Sequence, residues 1–341
     1  VKLDSSVGVL LVNTGSSSAP RVPETRAYLR QFLSDPRIID IAAWKRWLLV
    51  NLIILPTRPK KTAHAYAAVW TDRGSPLIVF SEDFRDALAA RLDGAHVAIG
   101  MAYGEPSIGR AIDELIAKGI DRLLVVPMFP QYASATTGSV LEFVYRHCGE
   151  KWNVPHITAL PPYFEDPGFL EAWRQVAEPE LEAFKPDYVL LSYHGLPERQ
   201  ILKCDPSGSH CLKSPDCCAR AVPANRMCYR RHCMESSRRL VERLGLQEGQ
   251  YKVTFQSRLG REPWLSPATD ETIEELAKQG VKRLAVLSPA FTADCLETLE
   301  EIGMGGKETF LEHGGEAFHL VPSLNAHPAW VSAMENLLRT L

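Results

Sequence analysis

The segment LLSYHGLPERQILKCDPSGSHCLKSPDCC (190–218) ends an apolar run on a single imidazole, His194, and follows it with a polar loop crowded with thiols. Gly195 and Pro197 stop the strand abruptly and leave the ring at its tip, where a largely neutral imidazole can accept a proton or ligate a metal. A second segment, SPAFTADCLETLEEI (288–302), carries Asp294, Glu297 and Glu301. Spacings of three and four put these carboxylates on one face of a helix, with Thr298 and Glu300 turned elsewhere. A solvated acidic face shows the same spacing. This row, however, starts directly after a buried strand, so its first members are expected at the mouth of a binding site. An imidazole facing carboxylates suits the handling of a divalent cation together with protons, because such nitrogen and oxygen ligands bind Fe(II), Zn(II) or Co(II) without closing the coordination shell.

The thiols raise a separate question. Of eight cysteines in the chain, Cys204, Cys211, Cys217, Cys218, Cys228 and Cys233 fall in one stretch dotted with Pro206, Gly208, Ser209 and Pro215. A chain of 341 residues with no secretion pattern is not a small disulfide scaffold, so reduced thiols or metal ligation are the better readings. A [2Fe–2S] cluster needs four thiolates, whereas zinc would take four Cys or a mixture with His210 or His232. The spacing follows neither the usual zinc pattern nor the ferredoxin runs. Cys148, far away in sequence, reads as an ordinary buried thiol.

Short β-branched runs must position these groups: VGVLLVN, HVAIGMAY, RLLVVPMF, HITAL, DYVLLSY, YKVTFQS, RLAVLSP and FHLVPS read as strands buried on both faces. Helix-period segments such as SEDFRDALAARL, SIGRAIDELIAKG and MESSRRLVERLG lie between them. The alternation predicts α/β architecture with doubly wound, Rossmann-like parallel sheets. The chain also repeats itself: AIDELIAKGIDRLLVV (111–126) matches TIEELAKQGVKRLAVL (272–287), VLLVNTG (9–15) matches VLLSYHG (189–195), and Glu105-Pro106 precedes the first helix as Glu262-Pro263 precedes the second. Two similar lobes are expected, residues 1–180 and 181–341, with a cleft between them. His194 takes the place that Thr14 holds in the first lobe, just past the carboxyl end of a strand, where open α/β sheets bind ligands.

A net charge of −3 excludes the basic excess of a nucleic-acid surface. No signal pattern precedes the first apolar run and no spanning stretch occurs, which predicts a cytoplasmic protein. The segment WKRWLLVNLIILPTRPKK (44–61), with two Trp and an apolar middle flanked by basic residues, fits contact with the inner face of a membrane; a core helix is the alternative. Nothing in the residues specifies an oligomeric state.

Taken together, VLLVNTG, GSP (74–76), FPQYASATTGS (129–139), LSYHGLP, TFQSRLGREPWLSP (254–267) and FTADCLETLEEI resemble ferrochelatase, over nearly the whole chain. The resemblance implies a chelatase-type fold and insertion of Fe(II) into protoporphyrin IX to give protohaem, the last step of haem biosynthesis. It implies that His194 and Glu297 are the pair at the insertion site, with Asp294 and Glu301 continuing an acidic track. Arg58, Tyr66, Ser75, Tyr103, Phe129 and Trp264 fall at positions like those of the porphyrin-pocket wall, and 44–61 becomes a porphyrin lip. Cys295 stands where some relatives carry His. Some ferrochelatases hold a [2Fe–2S] cluster, and the resemblance implies one here in the insert 204–233. Its ligands would be four of Cys204, Cys211, Cys217, Cys218 and Cys228, because animal relatives use a Cys where this chain has Ser134, and Cys233 stands where relatives without the insert also have Cys. The rival readings are another tetrapyrrole such as coproporphyrin III, another metal such as cobalt, or a non-catalytic haem- or iron–sulfur-binding sensor.

Overall fold

The computed structural model describes residues 3–258, 260 and 262–341; Leu259 and Arg261, inside the TFQSRLGREPWLSP motif, lie outside the described residues. All eight expected runs form strands: β1 (Val7–Gly15), β2 (His96–Tyr103), β3 (Arg122–Pro127), β4 (His156–Ala159), β5 (Tyr188–His194), β6 (Tyr251–Gln256), β7 (Arg283–Leu287) and β8 (Ala317–Leu320). They make two four-stranded sheets in the orders β2-β1-β3-β4 and β6-β5-β7-β8, every pairing parallel. The two orders are the same once the strands are matched in sequence, so the internal repeat is a repeat of topology. Val7, Val9, Leu10 and Val12 of β1 and Leu190 and Leu191 of β5 are fully or almost fully buried, as central strands covered on both faces must be.

The matched helices show why the repeated letters recur. In the first sheet the helix Ile108–Ala117 is capped by the Ser107 hydroxyl, which accepts from the Arg110 N–H. It buries Ile108, Ala111, Ile112 and Leu115, a helical stripe, against Leu10, Leu123 and Val125. In the second the helix Thr269–Lys278 buries Ile273, Leu276 and Ala277 against Leu190, Leu284 and Val286. Gly119 and Gly280 follow these helices at φ +86° and +95°, the left-handed turn that lets the chain drop back into β3 and β7. One part of the repeat is displaced. The Met101 N–H donates to the Pro106 carbonyl, and the matching bond runs from the Phe255 N–H to Pro267. Pro267, not Pro263, is therefore the partner of Pro106, and the likeness of the two Glu-Pro pairs is a coincidence of letters.

Two compact units result, one of Val1–Phe129, Ser134–Pro161 and Val331–Leu341, the other of Pro130–Ala133 and Pro162–Trp330. The division falls near residue 161 instead of 180 because the helix Pro167–Phe184 buries Phe169, Leu170 and Trp173 and packs on the helix Tyr229–Arg243 and on β7 of the second unit.

Candidate functional site

His194 is the last residue of β5 and lies in register with Gln256, the last residue of β6. The following residue must be glycine: a Cβ on Gly195 would sit 2.8 Å from the Gln256 carbonyl and 3.3 Å from the Trp264 ring. The Gly195 N–H donates to that same carbonyl at 2.7 Å, locking the two strand tips together. The imidazole Nδ1 lies 2.6 Å from the Gly195 carbonyl. A carbonyl only accepts, so Nδ1 carries the hydrogen and Nε2 of the neutral ring keeps its lone pair. No described residue hydrogen-bonds Nε2. Phe291 flanks the ring, its centroid 6.5 Å away.

The acidic residues stand differently from a single helical face. Glu297 and Glu301 lie on a π-helix, Glu297–Gly306, a form that recurs at functional sites. Asp294 precedes it. Its buried carboxylate accepts from the Thr298 hydroxyl at 3.0 Å, the Asn325 amide at 2.8 Å and the Ser323 N–H, so it anchors the start of this helix. The expectation that all three carboxylates share one helical face is thus corrected to two on the helix and one anchored before its start. Buried Cys295 also stays a thiol, its pKa pushed up by burial first and by the Glu297 charge next.

A buried polar chain fastens the helix to the strand tips. Ser192 Oγ contacts Thr269 Oγ1 at 2.8 Å and donates to Gln256 Oε1 at 2.7 Å, while Gln256 Nε2 donates to the Glu297 carbonyl at 3.1 Å. Ser257, at φ +68° in the left-handed region, donates its hydroxyl to Glu301 Oε2 at 2.6 Å. Burial raises the Glu301 pKa above its ordinary 4.5, against the Ser257 hydrogen bond and, once its ring takes up a proton, the His194 charge, which pull it down; the Glu297 charge pushes it up. Gln256 and Ser257 lie within the TFQSRLGREPWLSP motif, and neither residue type alone marks a role in the site. Their signal is positional: Gln256 ends β6 where His194 ends β5, and Ser257 follows it directly.

The expected wall residues divide by exposure. Trp264 is half-buried beside Gly195 in the second unit and lines an 810 Å³ depression with Arg258, Glu262 and Asp270. In the first unit Arg58 is exposed and Phe129 half-buried. Tyr66, Ser75 and Tyr103 are buried. The Tyr103 hydroxyl donates to Asp35 at 2.7 Å, Ser75 Oγ contacts Ser16 Oγ at 2.6 Å, and Tyr66 packs edge-on against Tyr28 and Trp70. These contacts fix the three side chains in place.

The segment 44–61 is helical throughout, with a π turn at Leu49–Ile54 between the helices Ala43–Leu48 and Leu55–Val69. Val50, Ile54 and Leu55 face inward, whereas Trp44, Trp47, Leu52 and Ile53 are each about 60% exposed. No described helix is long and apolar enough to cross a membrane.

The cysteine loop is folded by its own polar groups. The Asp205 carboxylate accepts from the N–H groups of Ser207, His210 and Cys211, and buried Asn225 donates to the carbonyls of Cys217 and Arg220. Tight turns put Cys217 Sγ and Cys218 Sγ 3.8 Å apart, about the span of two thiolates on one tetrahedral metal with bonds of about 2.3 Å. Cys228 is within hydrogen-bonding reach of both Cys211 and Cys218, and burial raises the Cys211 thiol. Cys204 instead donates to the Gln200 carbonyl at 3.3 Å. Cys233 and Cys148 are fully buried. Among the described residues no three His, Cys, Asp or Glu side chains are already arranged around a metal position. The four neighbouring sulfurs nevertheless supply the donor set that a [2Fe–2S] cluster requires. His232 is no ligand candidate: its Nδ1 accepts from the Tyr132 N–H, its Nε2 meets the Arg226 carbonyl, and burial lowers its pKa to about 4.

Comparison with known proteins follows this geometry. The ferrochelatase family model matches residues 6–341. A ferrochelatase of Coxiella burnetii is 44% identical over 340 residues, covering 99% of this chain and 95% of that one. The ferrochelatase of Azotobacter vinelandii is 46% identical over 333 residues, covering 97% and 98%. Among solved structures, SirB from Bacillus subtilis with Fe3+ superposes at a TM-score of 0.54 and 15% identity, covering 98% of this chain and 94% of that one. The sirohydrochlorin chelatase SirB in complex with cobalt gives 0.50 at 14% identity, with the same coverages. These last two establish a chelatase-type fold.

Proposed function

The chain belongs to the ferrochelatase family, metal chelatases that insert Fe(II) into a porphyrin at the last step of haem biosynthesis, and from that premise we propose that protoporphyrin IX is metallated at His194 and Glu297. The observation that carries the assignment is the tautomer of His194. With Nδ1–H held by the Gly195 carbonyl, Nε2 keeps a free lone pair, and both His194 and Glu297 are close enough to Glu301 to act on its carboxyl electrostatically.

Free-base porphyrin must lose two N–H protons as the metal enters, so the site needs a base and weak, exchangeable ligands. In this reading His194 Nε2 accepts a pyrrole proton. Glu301, whose burial favours its protonated form, takes a proton onward, with the Ser257 hydroxyl holding its carboxylate in place. Glu297 offers the oxygen nearest the π-helix start, fixed through its backbone carbonyl by Gln256. Asp294 supports that turn. Trp264, with Arg58 and Phe129, is assigned contact with the macrocycle, and Tyr66, Ser75 and Tyr103 back the wall. The exposed Trp44, Trp47, Leu52 and Ile53 are assigned to a membrane surface that supplies an apolar porphyrin to a cytoplasmic protein, since Trp favours the bilayer boundary.

Cys211, Cys217, Cys218 and Cys228 are proposed to hold a [2Fe–2S] cluster, which would supply a one-electron redox centre; Cys204 is left out by its bond to Gln200. Anaerobic incubation of the protein with Fe(II) and either protoporphyrin IX or coproporphyrin III, followed by its absorption spectrum, tests the substrate reading. Faster metallation of coproporphyrin III would overturn it.

A further inference from the structure

The helix Tyr229–Arg243 begins at Cys228, and no acidic residue lies in its first turn. That is the end of a helix where partial positive charge accumulates and where a cationic side chain is least favourable. Arg230 stands there nonetheless. It is half-buried, and no carboxylate pairs with it among the described residues. One of its guanidinium nitrogens donates to Cys218 Sγ at 3.1 Å and to Cys217 Sγ at 3.5 Å. A desolvated cation opposite neutral thiols would be poorly compensated, and the helix terminus adds to the imbalance. Both features favour negative charge on the same sulfurs. Thiolates ligating iron provide that charge, and a cluster that accepts an electron becomes more negative still.

We propose that Arg230, with the N-terminus of its helix, sets the reduction potential of the centre held by Cys211, Cys217, Cys218 and Cys228, by donating N–H···S bonds to the Cys217 and Cys218 sulfurs. The inference rests on the cluster reading above. Arg230 is a positioning and tuning residue, and the electron itself comes from an external one-electron reductant. Hydrogen bonds to cluster sulfurs are among the known controls of such potentials. The sign is fixed: loss of a cation and a donor destabilises the more negative, reduced state, so the potential falls.

The test is a dithionite titration of anaerobically purified protein, followed by absorption and electron paramagnetic resonance, with acid-labile sulfide measured in every sample. In Arg230→Gln the ratio of reduced to oxidised centre, read at the parent's midpoint, is expected to fall about tenfold, equivalent to about 59 mV for one electron. Arg230→Lys, which keeps charge but loses the planar fork, should shift less in the same direction, and it carries the test if the Gln variant does not retain the cluster. An unchanged midpoint in whichever variant holds labile sulfide overturns the inference alone. A parent protein without labile sulfide overturns the cluster reading and the inference together.

Discussion

Gln256→Met separates positioning of the active site from stability of the fold. The substitution nearly conserves volume at a site that is 2% exposed, so it adds little packing strain. It removes the acceptor for Ser192 Oγ and the donor to the Glu297 carbonyl. Ser192 keeps its contact with Thr269, whereas the Glu297 carbonyl loses its bond to the end of β6. Two neutral hydrogen bonds at about 1 kcal/mol each give an expected loss of about 2 kcal/mol in denaturant unfolding. The larger effect is expected in turnover. Misplacing a reacting group by about 1 Å costs up to about 100-fold, so kcat for Fe(II) insertion should drop about 10- to 100-fold, with the KM for porphyrin almost unchanged because Trp264, Arg58 and Phe129 are untouched. Loss of porphyrin fluorescence under anaerobic conditions reads kcat directly. A variant that loses about 2 kcal/mol while keeping the parent kcat would refute the reasoning, since the polar chain would then hold the fold and not Glu297.

Ser257→Ala removes a hydrogen bond that lowers the Glu301 pKa, so the acid limb of the kcat profile should move to higher pH; no movement, or a downward one, removes Glu301 from proton transfer. The corresponding linkage is that a carboxyl with a raised folded pKa contributes stability below its ordinary 4.5 and loses it as pH rises through the raised value, a contribution that Glu301→Gln should abolish in pH-dependent melts. Changing Trp44 and Trp47 to Ser together should weaken flotation with anionic liposomes several-fold, and equal flotation would make the patch an ordinary surface. Cys218→Ser is expected to lose red-brown colour and labile sulfide, whereas Cys204→Ser keeps both; the reverse pattern would reassign the ligands.

Strands were the most legible part of the fold, because runs such as Val7–Val12 and Leu284–Leu287 are apolar on both faces and only a covered parallel strand needs that. His194 was legible for a related reason: a polar group at the end of such a run lies at a sheet edge. The π-helix was not, since its extra residue per turn leaves the spacing of Glu297 and Glu301 looking α-helical, and Asp294 joined them by arithmetic although it lies before the helix and binds Ser323 and Asn325. For Ser75 and Tyr103 the hydroxyl partners, Ser16 and Asp35, lie far away in sequence, so only the folded chain brings them into view. In the cysteine loop, composition suggested a class of ligand, whereas the turns that bring Cys217 and Cys218 together and the bond from Cys204 to Gln200 appear only in the folded chain. Pro106 and Pro267 make the same point for the repeat, where backbone hydrogen bonds correct an alignment that letters had drawn four residues away.

The most direct test of the central claim is single-turnover insertion of Fe(II) into protoporphyrin IX, measured anaerobically for the parent, His194→Ala and Glu297→Gln, with porphyrin affinity and thermal melting recorded in parallel. The account predicts that each variant binds porphyrin and melts like the parent while insertion slows at least about 100-fold, the range lost with a general acid–base group. Near-parental insertion by either variant, with binding and melting unchanged, would contradict it.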